Sequence, residues 1–292
     1  MLVFPNCKIN LGLHITSKRS DGFHTIESVF LPVGWTDMLE IVPAKENTFI
    51  MDGLNIACPL EENLCYKAYQ LLKSDLDLPP ISIYLYKKIP NGAGLGGGSA
   101  DAAFTLKMLN TMFSLGLSIE NLKCYAEKLG SDCSFFITNS PSLVSGRGEI
   151  LEPYSLNLQG YEIVIIKAPI SVSTAEAYKL VTPKAAEYSI AEILKKDISA
   201  WRDTLKNDFE EPIFEKYPEL AQMKNLLYAK GALYAAMSGS GSAIYGIFRE
   251  RIDFSQTFKD CLVWQGAIKF TGSTGNFVEA YSSTQEKTEL LF

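Results

Sequence analysis

The sequence predicts a mixed α/β chain folded as two domains, and three observations carry that reading. Residues 8–16 (KINLGLHIT) and 81–87 (ISIYLYK) alternate apolar and polar side chains, the period of a strand with one buried face. Residues 60–73 space Leu64, Ala68, Leu71 and Leu72 as an amphipathic helix does. After a polar stretch around residues 151–160 the strand-and-helix order starts again. The 292 residues suit about two domains at roughly 150 residues each. The expected division is 1–155 and 156–292.

In the first strand Ile9, Leu11, Leu13 and Ile15 are expected on one face, and Lys8, Asn10, Gly12 and His14 on the other. Residues 17–24 form a turn with Asp21-Gly22 at its tip. Strands follow at 25–33 and 37–43, then the helix at 60–73 and the strand at 81–87. A glycine-rich loop leads into a helix of good formers over 101–113. Ser118 caps the next helix, which stops at Gly130, and 131–137 begins a short element. In the second half a buried strand covers 161–169, a capped helix 173–181 and an amphipathic helix 216–231. Strands at 232–238 and 243–248 flank a tight GSGS turn; a helix at 254–262 and a strand at 267–273 complete the order.

Composition excludes several classes. Hydrophobic residues are 47% and charged residues 21%, an ordinary globular balance that argues against disorder. The net charge of −6 disfavours wrapping nucleic acid or coating an anionic membrane. No apolar run reaches the length of a membrane span, and the N-terminus does not read as a signal peptide. Six scattered cysteines and two histidines offer no zinc spacing. The cysteines read as small buried hydrophobes in a reducing cytoplasm.

Residues 92–98 hold five glycines in seven positions between a predicted strand and a predicted helix. Glycine lets backbone N–H groups approach a ligand closely, and a helix N-terminus favours phosphate. A flexible surface loop is the plain alternative. The P-loop pattern fails, because Gly98 stands where it requires lysine. A dinucleotide pattern G-x-G-x-x-G matches Gly92, Gly94 and Gly97, so a nicotinamide-dependent dehydrogenase stays open as a rival. No strand ending in an acidic residue follows at the required distance.

The stretch PNGAGLGGGSA (90–100) resembles the phosphate loop of the GHMP kinase superfamily. PNCKINLGLHI (5–15) and AAMSGSGSAIYGIF (235–248) resemble its N-terminal and C-terminal motifs, in the right order. The variants K-I-N-L-x-L, R-x-D-G-F-H (19–24) and G-x-D-x-x-F-F (130–136) resemble one branch. That branch phosphorylates 4-diphosphocytidyl-2-C-methyl-D-erythritol in non-mevalonate isoprenoid synthesis. Two residues depart from its pattern: Phe23 stands for a usual tyrosine and Cys7 for a usual alanine.

The resemblance implies an N-terminal ribosomal-protein-S5-like domain and a C-terminal ferredoxin-like domain with the site between them. It implies ATP as phosphoryl donor and a cytidine diphosphate-linked polyol as acceptor. Lys8 and Asp132 match the catalytic pair. Pro90, Asn91, Gly92, Ala93, Gly94, Leu95, Gly96, Gly97, Gly98, Ser99 and Ala100 match the phosphate loop, with Asn63 and Lys87 near the nucleotide. Asn10, Phe23, His24, Thr174 and Tyr178 match substrate positions; Phe23 and Tyr178 are to stack on the base and His24 to hydrogen-bond it. Mg2+ is implied with its ligands unassigned, Ser99 and Asp101 being candidates. Taken without the resemblance, Asp132 reads equally as a helix cap, Lys8 and Lys87 as solvated charges, and Phe23 and Tyr178 as core rings. Within the superfamily, another small-alcohol kinase is the nearest alternative; a sensor built on the same fold is the rival outside enzymes.

Overall fold

The computed structural model describes residues 1–269 apart from Ala57, Ser255 and Gln256. The first half runs β1 (Leu2–Val3), β2 (Asn6–Lys18), β3 (His24–Thr36), β4 (Met38–Pro43), β5 (Thr48–Gly53), α1 (Leu64–Leu76), β6 (Ile81–Lys87), α2 (Gly97–Met112), α3 (Ile119–Leu129), α4 (Cys133–Thr138), β7 (Ser142–Ser145) and β8 (Ile150–Pro153). Its strands form two sheets, ordered β1-β4-β6-β5 and β2-β3-β7-β8. Only β5 and β6, which flank α1, pair in parallel. The second half runs β9 (Glu162–Lys167), α5 (Thr174–Leu180), α6 (Ile190–Ile193), α7 (Trp201–Thr204), α8 (Glu210–Lys216), α9 (Pro218–Ala229), β10 (Tyr234–Met237), β11 (Ala243–Phe248) and β12 (Leu262–Ala267). Its sheet is antiparallel, ordered β10-β11-β9-β12, the ferredoxin-like order.

Two apolar clusters hold these layers. One joins α1, α2 and α4 to the first sheet and reaches α8, α9 and Phe248. The other lies between the β2–β3 hairpin and the β9–β11 sheet, with Cys7, Ile9, Leu11, Val29 and Leu31 facing Ile163, Ile165, Tyr245 and Ile247.

The strict alternation expected for the first strand breaks at Gly12. Leu11 pairs with Val29 and Leu13 with Ser28, so Gly12 is an extra residue, a β-bulge at φ +66°. A one-residue insertion exchanges the faces beyond it. Ile9 and Leu11 therefore pack in one cluster, while Leu13 and Ile15 pack in the other. His14 leaves the face of Lys8 and Asn10 and pairs with Asp208 (Nδ1–Oδ1 3.5 Å).

Other elements are displaced or new. The helix after the glycine loop begins at Gly97, not Asp101, because the loop itself supplies the first turn. Pro218 starts α9 afresh after Tyr217, so α8 and α9 replace the start of the helix expected at 216. β5, β7 and β8 were not expected from the sequence. No helix occupies the described part of 254–262; the Thr257 N–H donates to the Phe254 carbonyl and the Cys261 N–H to the Phe258 carbonyl, and both phenylalanines are buried. The last strand lies at 262–267, and residues 270–273 of the expected one fall outside the described residues. Among the described residues all six cysteines are free, with Cys7, Cys65 and Cys133 buried, and no helix is long and apolar enough to cross a membrane.

Candidate active site

A cleft of about 1070 Å³ is lined by residues of β2, the glycine loop, the start of α4, α5 and the loop 239–241. The glycine loop reaches it through two turns that depend on glycine. Gly94 has φ +74°, and Gly96, at the N-cap of α2, has φ +69°. A Cβ on Gly96 would press on the Phe136 ring at 3.0 Å. No side chain caps the 16-residue α2, so its first N–H groups remain available at the cleft. Of the expected loop residues, Pro90 through Ser99 line the cleft, and Ala100 is buried behind them.

Strand β2 brings Lys8 and Asn10 to the same floor. The Lys8 N–H donates to the Leu95 carbonyl (2.9 Å), tying strand to loop. Lys8 is 3% exposed; its ammonium donates to Asn10 Oδ1 (2.7 Å), lies over the Phe30 ring and faces Asp132 Oδ2 at 3.4 Å. Asp132 occupies the N-cap position of α4, yet its side chain caps no N–H group. The capping alternative therefore does not describe this carboxylate; it turns to Lys8 and the cleft. Asn10 Nδ2 donates to Ser28 Oγ, and its Oδ1 also lies 3.5 Å from Ser238 Oγ, so both ends of the amide hold protein partners.

The rim of the cleft carries the rings. Arg19 and Asp21 form an ion pair, and Asp21 Oδ1 accepts from the Phe23 N–H, shaping the turn. Phe23 is 52% exposed rather than a core ring. His24 stacks on Tyr178, centroids 4.7 Å apart and planes 20° from parallel. Burial, then the Lys18 charge, lowers the pKa of His24 below the ordinary histidine value. Burial and the nearby Asp132 push the Tyr178 hydroxyl up to about 12. Thr174, one helical turn from Tyr178, lies 3.2 Å from Ser240 (Oγ1–Oγ).

Asn63 and Lys87 sit apart from this group, in an adjoining cavity of about 320 Å³ that shares Leu64, Pro90, Asn91 and Gly98 with the cleft. Its walls include Met51, Ile56 and Leu85. Asn63 caps α1 by accepting from the Cys65 N–H (2.9 Å). Lys87 is not a solvated strand end. It is 5% exposed, donating to Asp37 and to Asp101 Oδ2 (2.6 Å). Asp37 is wholly buried and also accepts from the Lys88 and Ile89 N–H groups. Burial pushes the Asp101 carboxyl up to about 7, with Lys87 opposing and Asp37 adding to the shift. This carboxylate–ammonium–carboxylate triad clamps the end of β6 to the second turn of α2 and so ties together the elements on either side of the glycine loop.

Sequence reasoning missed that triad and the anchoring of loop 238–242. Ser238 Oγ donates to the Gly94 carbonyl (2.9 Å), and the Asn10 N–H donates to Ser238 Oγ (3.3 Å). Asn207 Nδ2 donates to the carbonyls of Met237 and Gly239, both at 2.8 Å. The SGSGS motif was the visible signal; Asn207 lies 30 residues away in a stretch without a pattern.

Two family models match the chain, GHMP kinases N terminal domain at residues 63–140 and GHMP kinases C terminal at residues 189–256. The chain is 45% identical over 270 residues to a 4-diphosphocytidyl-2-C-methyl-D-erythritol kinase of Parabacteroides distasonis, covering 92% of this chain and 100% of that protein. It is 50% identical over 252 residues to the protein of that name from Bacteroides thetaiotaomicron, covering 85% and 92%. A crystal structure of 4-(cytidine 5'-diphospho)-2C-methyl-D-erythritol kinase superposes with a TM-score of 0.77 at 30% identity, covering 91% and 98%. A mevalonate kinase structure shares the fold at a TM-score of 0.67 and 13% identity. On motifs, fold and these likenesses together, the chain belongs to the 4-diphosphocytidyl-2-C-methyl-D-erythritol kinase family of GHMP kinases.

Proposed function

We propose that the protein transfers the γ-phosphoryl group of ATP to the C2 hydroxyl of 4-diphosphocytidyl-2-C-methyl-D-erythritol, in the cytoplasm and within non-mevalonate isoprenoid biosynthesis. One observation carries the catalytic reading: Asp132 holds a helix N-cap position, caps nothing, and faces buried Lys8 at 3.4 Å inside the glycine-lined cleft. A carboxylate kept from its local partner is available to a substrate hydroxyl.

In this reading the polyol lies against Asp132, Lys8 and Asn10. Asp132 orients the C2 hydroxyl and accepts its proton as the oxygen–phosphorus bond forms and the bond to the β-phosphate oxygen breaks, releasing ADP. Lys8 holds the Asp132 carboxylate by its charge and faces the transferring group, where negative charge is shared among oxygens. The N–H groups of 97–99 and the turn 92–96 hold the phosphates, and Ser99 adds a hydroxyl. Adenine takes the adjoining cavity, with Asn63 at its edge and apolar walls from Met51, Ile56 and Leu85. There Lys87 acts through Asp101, because its ammonium is already held by two carboxylates.

The residues fit Mg2+ as a phosphate-bound ion. Asp101 Oδ1 is buried without a hydrogen-bond partner at the adjoining cavity, Ser99 lines the cleft, and no cluster of three or more acidic, histidine or cysteine ligands exists among the described residues. Ser99 and Asp101 would hold the ion, which supplies charge neutralisation to the phosphates.

On the acceptor side the cytosine lies between Phe23 and Tyr178. His24 now covers one face of Tyr178. It swings aside on binding and meets the base edge. The two halves of the chain meet near residue 155, and the site lies between them. A small molecule is the partner in this reading, with no nucleic acid or membrane involved. The test is a phosphoryl-transfer assay with ATP against alcohols with and without the cytidine diphosphate group. The cytidine-linked polyol should exceed free polyols at least 100-fold in kcat/KM; equal rates would overturn the assignment of substrate.

A further inference from the structure

We infer that Arg147 holds the diphosphate of the cytidine substrate while bracing the Phe23 ring from behind. The inference rests on the reading that the acceptor carries a cytidine diphosphate. The family resemblance gave no role to residue 147.

Position comes first. In that acceptor the diphosphate joins the base to the polyol, so its ligand must lie between the base stack and the catalytic carboxylate. The turn joining β7 to β8 lies there. Its Gly148 abuts Ser131 and Asp132: a Cβ on Gly148 would sit 3.6 Å from Ser131 Cβ and 4.0 Å from Asp132 Oδ1. Its Arg147 guanidinium lies over the Phe23 ring, 4.9 Å from the centroid. The turn thus lies between the base stack and the catalytic carboxylate, with Arg147 at the ring end and Gly148 at the carboxylate end.

The turn is also built to hold that position. The Ile26 N–H donates to the Gly146 carbonyl (2.8 Å), and the Gly148 N–H to the Ser145 carbonyl (3.1 Å). The Arg147 N–H donates to the Glu149 carboxylate. Glu149 Oε1 approaches Arg147 Nε at 3.8 Å, and the terminal guanidinium nitrogens have no hydrogen-bond partner among the described residues. Two parallel N–H groups in a plane match two phosphate oxygens, which an ammonium cannot do.

Charge agrees. Among the described residues lining the cleft, Lys8, Lys18, Arg147 and Lys179 are cations and Asp132 is the one carboxylate. Lys8 is committed to Asn10 and Asp132. Arg147 alone of the other three combines an anchored backbone with a ring under its charge. The stack on Phe23 also supplies what the missing tyrosine hydroxyl cannot, a polar contact that fixes the ring.

The test is calorimetric titration with cytidine 5'-diphosphate and with cytidine, each with saturating ADP in the nucleotide site. Wild-type protein should bind the diphosphate at least tenfold more tightly than cytidine. Arg147→Ala should reduce that ratio below threefold, with the loss falling on the diphosphate. Arg147→Lys should keep only part of it, and Arg251→Ala, an exposed cation elsewhere, should keep all of it. A full ratio in Arg147→Ala, or wild-type protein that phosphorylates the substrate without preferring the diphosphate, overturns the role of Arg147. Wild-type protein that neither binds cytidine compounds nor phosphorylates the cytidine-linked polyol overturns the parent reading instead.

Discussion

A Cβ built on Gly94 would lie 1.9 Å from the carbonyl oxygen of Ser238. The glycine loop and the C-terminal SGSGS motif are thus in backbone contact, further joined by the Ser238 Oγ–Gly94 hydrogen bond. Five glycines in seven positions carry an entropic cost in the unfolded chain, and this contact is one structural return for it. Gly94→Ala should push the two loops apart and also strain the backbone at φ +74°. ATP affinity should fall at least about tenfold by calorimetry, the size of a few lost phosphate contacts. Gly98→Ala is the comparison, because its Cβ would meet only Leu64, at 3.7 Å. Equal losses in the two variants would contradict the backbone-approach argument.

The Lys8–Asp132 pair should matter for turnover more than for folding. Asp132 is about a third exposed, so its ion pair adds little to stability. Removing a general base of this kind lowers rates by about 10²–10⁴-fold. Asp132→Asn and Lys8→Ala should each lose turnover on that scale in single-turnover assays. The thermal midpoint of Asp132→Asn should stay close to wild type. More than a tenth of normal turnover in Asp132→Asn would remove it from the mechanism.

What the sequence made legible follows from the range of each interaction. The glycine loop, the Ser118 cap and the hairpin turn at Asp21-Gly22 are local, so their residue types announce them. Gly12 was visible as a glycine inside a strand, a signal for a bulge, but strict alternation concealed which side chains it would exchange. Asp37 could not be read as a clamp, since its partner Lys87 is 50 residues away and nothing in GWTDML marks it. Strand β5 (TFIMDG) lacks clean alternation because Ile50 is 52% exposed on the open face of its sheet. The expected helix is absent from the described part of 254–262, where Phe254 and Phe258 are buried.

The buried triad gives a stability prediction with a pH sign. Asp37→Ala would leave Lys87 short of a carboxylate and two N–H groups without acceptors, so it should destabilise by about 3–5 kcal/mol. Asp101→Asn keeps an acceptor for Lys87 and should cost less. The folded pKa of Asp101 is raised from 3.8 to about 7, so between those values the native state binds more protons than the unfolded chain. The contribution of this group to stability therefore falls as pH rises through that window. Relative to wild type, Asp101→Asn should gain stability from pH 5 to pH 7.5 in urea unfolding. A constant difference across that range would remove the shift.

The final prediction concerns the base and its histidine. Cytosine presents an exocyclic amino donor where uracil presents a carbonyl acceptor. Neutral His24 has one ring nitrogen that accepts and one that donates, so an accepting nitrogen at the amino group favours cytosine. A mismatch leaves polar groups unpaired, at about 1–3 kcal/mol each. The uridine analogue should be poorer by roughly ten- to a hundredfold in kcat/KM at pH 8, the kinetic equivalent of that cost. Burial and Lys18 hold the His24 pKa below its ordinary 6.5, so the ring is neutral at pH 7 and protonates only in acid. Protonation turns its acceptor into a second donor, which repels the cytosine amino group and suits the uracil carbonyl. The preference for cytidine should therefore persist unchanged from pH 8 to pH 7. His24→Ala should show a small preference at every pH, with ATP affinity unchanged because Asn63 and the adjoining cavity lie apart from the ring cluster. Tyr178→Ala should weaken both analogues equally, since stacking is nearly blind to base identity. Wild-type protein that accepts both analogues equally at pH 8, or loses its preference between pH 8 and pH 7, would take His24 out of base recognition while leaving the kinase chemistry at Lys8 and Asp132 intact.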